Sequence, residues 1–219
     1  MSCEANVTEK PILFSAPMVR AILAGRKTQT RRLLRYQCTF IGKVLLSLGK
    51  LLYMAEKRPR DCLFAKPAPY SVGDRLWVKE TSYVAPVGFG DRNLCNATDY
   101  DGQRRVVGYL AGMDDDSERC ATDYGVKKSP AIFMPRWASR ITLDVTAVRV
   151  ERLQEITQED AIAEGVGELG WIVPRQRERE AFSELWDSIN AKRATWASNP
   201  WVAVVTFKLA ARRAPVEEG

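Results

Sequence analysis

The sequence predicts an α+β fold: a small mixed β-barrel with flanking helices and loop insertions. Three observations carry this. Strand-like segments outnumber helical ones, and the two do not alternate at the spacing that a parallel βαβ sheet requires. The apolar pattern Ile141, Leu143, Val145 slips by one near Ala147 and resumes at Val148 and Val150, which marks a bulged, bent strand suited to a small barrel. The last strand, Trp201 to Phe207, is apolar on both faces and belongs in the middle of a sheet that it is expected to close.

Taken in order, Ile12, Leu13 and Phe14 form a short apolar strand. Ser15 and Pro17 start a helix, and Gly25 ends it. The loop that follows, expected to hold Lys27 and Thr30 firmly, leads into an insertion near 36–70 that mixes Val44, Leu45, Leu46 and Leu48 with Lys57-Arg58-Pro59-Arg60. Ser71-Val72-Gly73-Asp74 is a turn, and Arg75 to Thr81 alternates as a strand. A second insertion, near 84–128, is rich in Gly, Asp and Asn and reads as a long loop, with the acidic run Asp114-Asp115-Asp116 and a hairpin around Asp101-Gly102. Thr157-Gln158-Glu159-Asp160 is a capping-box start for a helix that stops at Gly165. Phe182, Leu185, Trp186 and Ile189 lie at helical spacing within a second helix, Arg175 to Lys192, and Asn199-Pro200 turns the chain into the last strand. The expectation is a single domain over 11–209, with 1–10 and 210–219 as flexible tails.

Composition excludes several classes. With 46% hydrophobic and 27% charged residues the chain has the makings of a globular core rather than of disorder. The formal charge of +6 is compatible with a polyanionic partner. There is no histidine, so the commonest metal ligand and the commonest general base are both missing. Cys3, Cys38, Cys62, Cys95 and Cys120 form no CxxC pair, which excludes zinc-ribbon spacing. No signal-peptide core or membrane-length apolar run is present, so the expectation is a cytoplasmic protein with free thiols, no metal, no cofactor and no membrane partner.

The densest chemistry is Gly25-Arg26-Lys27-Thr28-Gln29-Thr30-Arg31-Arg32. Arg26, Arg31 and Arg32 disfavour an ammonium on Lys27, and a neutral lysine can take the Thr30 proton, activating a nucleophile without histidine. The same cluster also reads as a cationic helix end that complements the macrodipole. Glu164 ends the helix begun at Thr157, where the dipole disfavours negative charge; it can shuttle a proton or hold the lysine, or be a plain surface glutamate. Glu80, at the end of the Trp77 strand, is a rival acid or half of a structural salt bridge. Trp77 and Trp137, beside Lys79, Arg136 and Arg140, can stack bases while the guanidinium groups hold phosphates, or can be core.

The ordered set resembles the ASCH superfamily of PUA-like β-barrels. Gly25 to Arg32 is similar to its G-x-K-x-x-x-x-R signature, Gly73-Asp74-Arg75-Leu76-Trp77-Val78 to its G-D-x-L-x-V strand, and Asn199-Pro200-Trp201-Val202 to its terminal strand. With Met134-Pro135-Arg136-Trp137-Ala138-Ser139-Arg140 the chain looks like the larger members found in phages and prophages. The resemblance implies a cleft that handles a nucleoside or RNA. Small bacterial members are amidohydrolases that deacetylate N4-acetylcytidine with a Lys, a Thr and a Glu. Those roles fall on Lys27, Thr30 and Glu164, with backbone amides near Gly25 steadying the oxyanion. Gly25, Arg26, Arg31, Arg32, Trp77, Glu80, Arg136, Trp137 and Arg140 would contact substrate or RNA. A non-catalytic RNA-binding module and a metal-independent ribonuclease are the other readings that the resemblance allows.

Overall fold

A computed structural model describes residues 8–35, 37, 41–47, 50–55, 64–86, 104–113, 118–119, 123, 126–166 and 177–210. In chain order the strands are β1 Glu9–Leu13, β2 Gln29–Leu33, β3 Ile41–Ser47, β4 Lys50–Ala55, β5 Phe64–Pro67, β6 Arg75–Lys79, β7 Ser82–Pro86, β8 Arg104–Tyr109, β9 Lys127–Ser129, β10 Thr142–Arg152 and β11 Trp201–Leu209. The α-helices are α1 Ala16–Leu23, α2 Gln158–Ala163 and α3 Glu178–Asn190. The class is α+β.

The main sheet runs β1-β6-β10-β11-β2, with β1 parallel to β6 and the other pairs antiparallel. Strand β11 lies inside the sheet, between β10 and β2, as its two apolar faces require. Val205 and Phe207 join Ile12, Phe14, Val19, Ile22, Leu76, Val78, Leu143 and Val145 in a core under α1. Val202 and Val204 face the other way and pack with Leu153, Ala161, Phe182 and Trp186 under α2 and α3. One strand thus anchors both layers, and each of its buried valines contributes about 1.5–3 kcal/mol. The phase slip read near Ala147 is a register shift between Val145 and Ala147; Thr146 is the extra residue, and its hydroxyl donates to the Thr206 carbonyl.

Four expectations need correction. The sheet is not closed by β11: among the described residues no backbone pairing joins β1 to β2. The Leu13 carbonyl, which such a ladder would use, instead accepts from the Arg32 guanidinium at 2.6 Å. The two insertions are not plain loops, since β3-β4-β5 and β8-β7-β9 form antiparallel three-stranded sheets. Residues 9–10 are not a tail: they open β1, where Lys10 reaches Asp74 Oδ2 at 2.6 Å. Ile189 does not join the core but stays 56% exposed, because Phe182 and Trp186 fill the face of α3 that meets the sheet. The five cysteines, the Asp114 run, the Asp101-Gly102 hairpin, residues 1–7 and residues 211–219 lie outside the described residues.

Candidate active site

Two helix ends meet at Lys27. Helix α1 closes with a Schellman motif: Gly25 N–H donates to Ile22 O at 3.0 Å and Arg26 N–H to Ala21 O at 2.9 Å, with Gly25 at φ +73°. Helix α2 repeats the device, with Gly165 at φ +80° donating to Ile162 O at 2.8 Å. Thr28 N–H then bonds the Ala163 carbonyl at 2.9 Å, and the Thr28 carbonyl accepts from Phe207 N–H at 2.9 Å, which ties the turn to both α2 and β11. The closeness is tight enough to require glycine, since a Cβ on Gly165 would stand 3.1 Å from both the Ala21 and Lys27 Cβ atoms. The amides of Gly25, Arg26 and Lys27 are all consumed by α1 carbonyls, so they do not form the oxyanion site expected of them.

Lys27 is 2% exposed. Its Nζ donates to the Glu164 main-chain carbonyl at 2.7 Å and to Glu164 Oε2 at 2.8 Å, and lies 5.7 Å from the Phe14 ring centre. Burial pushes the Lys27 amine below its ordinary value; Glu164 opposes this, while Arg32 and Arg31 add to it. The direction agrees with the sequence reading, but the main cause is burial rather than the neighbouring arginines. Glu164 is buried, not a surface glutamate; Arg31 offsets the unfavourable dipole at the α2 C-terminus, and Lys27 Nζ donates a hydrogen bond to the same carboxylate.

Arg31 departs most from expectation. Its side chain has no exposed surface and spans three carboxylates: Glu151 at 2.6 Å, Asp160 at 2.8 Å and Glu164 at 3.3 Å. Arg149 closes the cluster through Glu151 and Asp160, and Gln29 bridges Asp160 to Arg149. Partial burial works against the ionised Asp160, but Gln29, Arg31 and Arg149 together outweigh it and hold the carboxyl below its ordinary value. Arg31 is therefore removed from substrate or RNA contact. The reason is register: Arg31 stands opposite Val204, on the α2–α3 face, whereas Thr30 and Arg32 stand opposite Val205 and Ala203, on the other. Glu151, Arg149 and Asp160 were missed by sequence reasoning; their one signal is alternation, which puts Arg149 and Glu151 on one face of β10.

Thr30 lies on β2 rather than on a loop, is buried, and its hydroxyl forms no hydrogen bond with any of the described residues, Lys27 included. Arg32 shares its face. The Arg32 guanidinium lies 5.2 Å from the Phe14 ring centre, and its Nε is buried without a hydrogen-bond partner among the described residues. Gly25 and Arg26 are exposed on the α1 turn.

The remaining expected contacts gather elsewhere, on β6 and the segment before β10, three strands from β2 in the sheet. Glu80 is 1% exposed and held by both Arg140 Nε and Nη2, at 2.9 and 3.1 Å, while Arg140 lies 4.1 Å over the Tyr109 ring. This is the structural salt bridge, not a second acid. Arg136 pairs with Glu9 at 2.9 Å and flanks Trp77 with Lys79. Trp137 packs on Met134 and Ala138, the core alternative.

Among the described residues, no cluster of acidic, cysteine or histidine side chains is placed to hold a metal ion, and no helix is long and apolar enough to cross a membrane. In comparisons with known proteins, no family model, no curated protein and no solved structure matches the chain.

Proposed function

We propose that this protein is an amidohydrolase with a PUA-like, ASCH-type fold, which removes the acetyl group from N4-acetylcytidine or a related acylated nucleoside through Lys27, Thr30 and Glu164. The observation that carries the reading is the buried Lys27–Glu164 pair, with Lys27 three residues before a hydroxyl that none of the described residues holds. A neutral Lys27 has two N–H groups, which the Glu164 carbonyl and Oε2 accept; its lone pair is then left to accept a proton. Burial supports the neutral form, since removal from water is the largest influence on the Lys27 amine.

In the reaction, Thr30 Oγ attacks the acetyl carbonyl and its proton passes to Lys27 Nζ. Collapse of the tetrahedral intermediate breaks the C–N bond, and the cytosine amine leaves with the proton that Lys27 held. Water, giving its proton to Lys27, attacks the acyl-threonine; the bond to Thr30 Oγ breaks, Oγ takes the proton back from Lys27, and acetate is released. Glu164 orients Nζ throughout. Arg32 Nε is the buried donor left over, and it is suited to the developing oxyanion.

Of the four arginines on which the RNA-binding alternative rests, Arg31, Arg136 and Arg140 are each paired with carboxylates, and Arg32 donates to the Leu13 carbonyl. The test is acetate release from N4-acetylcytidine, free and within RNA, by wild-type protein and Thr30→Val. The proposal expects release by wild type and none by the variant. Equal release by both would refute it, and no release by either, with RNA bound or cut, would favour the alternatives.

A further inference from the structure

Helix α2 fixes the backbone of Glu164 but not its side chain. The Glu164 N–H donates to the Asp160 carbonyl at 2.9 Å as the helix ends, which leaves the torsions of a long, rotamer-rich side chain to be set by whatever meets the carboxylate. Among the described residues two groups do, and they divide its oxygens. Lys27 Nζ donates to Oε2 at 2.8 Å and Arg31 Nη1 to Oε1 at 3.3 Å.

The Arg31 guanidinium is divided in the same way. Its Nε and Nη2 donate to Glu151 Oε1 at 3.2 and 2.6 Å, and Nη2 also to Asp160 Oδ2 at 2.8 Å. Those contacts already tie β2 to β10 and to α2. Nη1 has a separate task, since its one bond goes to Glu164. The fork is itself held in place: Phe182 lies with its ring centre 5.8 Å from the guanidinium carbon, Arg149 grips Glu151 and Asp160 at 2.8 and 2.7 Å, and the Gln29 amide donates to Asp160 Oδ1 at 3.1 Å. With no exposed surface, the Arg31 side chain is out of reach of an incoming substrate. Any influence it has on the reaction passes through Glu164.

We infer that Arg31 is a positioning residue for the Lys27–Glu164 pair: its Nη1 fixes Glu164 Oε1, so that Oε2 and the main-chain carbonyl of the same residue receive both N–H groups of Lys27 and the Nζ lone pair stays free for the Thr30 proton. The role rests on the deacetylation reading of the site. It has a consequence without substrate as well. The bond to Arg31 draws the charge of Glu164 away from Lys27, and the Arg31 cation itself disfavours an ammonium there, so loss of the fork makes Lys27 hold its proton to higher pH. A lysine at this position keeps a cation for Glu151 and Asp160 but has no second branch to reach Glu164.

The test compares wild type, Arg31→Gln, Arg31→Lys and Arg140→Lys, each as the full chain with its folding checked by urea unfolding. Arg140 also grips a buried carboxylate with two nitrogens, that of Glu80, away from Lys27, so its variant reports the loss of such a pair alone. Both Arg31 variants should lower kcat for N4-acetylcytidine by roughly a hundredfold with little change in KM, because the misplaced base acts after binding. Both should also move the rising limb of the pH profile to higher pH, and Arg140→Lys should do neither. If Arg31→Lys restores kcat and the limb together with stability, Arg31 is a staple between strands and helix, and the positioning role is overturned. In parallel, 13C NMR of Lys27 Cε, assigned by its absence in Lys27→Ala, follows the amine without substrate. Titration at higher pH in the Arg31 variants than in wild type upholds the role even if no protein releases acetate, a result that sinks the deacetylation reading alone. Titration at the wild-type pH overturns the role whatever the turnover. If Arg31→Gln does not fold, Arg31→Lys carries both measurements.

Discussion

Gly165→Ala tests whether the two helix ends really converge on Lys27. At φ +80° an alanine pays about 1–2 kcal/mol for the left-handed backbone. The new methyl would also stand 3.1 Å from both the Ala21 and Lys27 Cβ atoms, and overpacking of this kind adds about 1–3 kcal/mol. The sum is a destabilisation of about 2–5 kcal/mol. Gly25→Ala is the internal control: its φ is +73°, but nothing lies within 4 Å of the added Cβ, so only the backbone cost of about 1–2 kcal/mol applies. Urea unfolding followed by tryptophan fluorescence reads both. With an m-value of about 2 kcal/mol per molar, the Gly165→Ala midpoint should fall by about 1–2.5 M at unchanged m. Equal midpoints for the two variants would refute the packing of α2 onto the Lys27 turn.

Other expected outcomes follow from the same contacts. Thr30→Val keeps the shape of a side chain that makes no hydrogen bond, so its unfolding midpoint should stay near wild type while deacetylation drops by at least about 10³-fold, measured by acetate release. Arg31→Ala removes the one cation that Glu151, Asp160 and Glu164 share, leaving Arg149 and Lys27 to hold them, and should cost about 3 kcal/mol in the same unfolding assay, with no gain or loss in the salt slope of RNA binding. Asp160 has a folded value below its ordinary 3.8, so its contribution is present above that pH and fades as pH falls through the lower folded value; Asp160→Asn should therefore flatten the acid limb of stability against pH. Lys27 gives a slope of the same sign in a more alkaline range. Its folded value lies below 10.5, the unfolded chain holds the proton longer, and stability should rise with pH between the two values; kcat/KM should rise with pH through the lower one.

Local features were readable because their causes are local. Gly25 and Gly165 mark helix ends because only glycine takes the left-handed turn cheaply, and Thr157 caps α2 by accepting from Asp160 N–H at 3.1 Å. The reciprocal half of that capping box is absent because Asp160 is drawn away by Gln29, Arg31 and Arg149. The bulge in β10 showed as a change of phase in the apolar pattern. What escaped depends on pairing between distant segments. Whether Arg31 or Arg32 points at the carboxylates is set by the register of β2 on β11, about 170 residues on, which neighbouring residues do not encode. Glu80 and Arg140 are 60 residues apart, so their bidentate pair was one of two equal readings. The strands of the insertions are sheets of their own, and their pairing is likewise non-local.

The most direct test of the central claim is an intact-mass measurement on protein quenched during turnover of N4-acetylcytidine, with the modified peptide mapped. The account predicts one acetyl group on Thr30 in the wild-type protein and neither adduct nor acetate with Thr30→Val. Acetate released by Thr30→Val at the wild-type rate, or an adduct mapped to another residue, would contradict it.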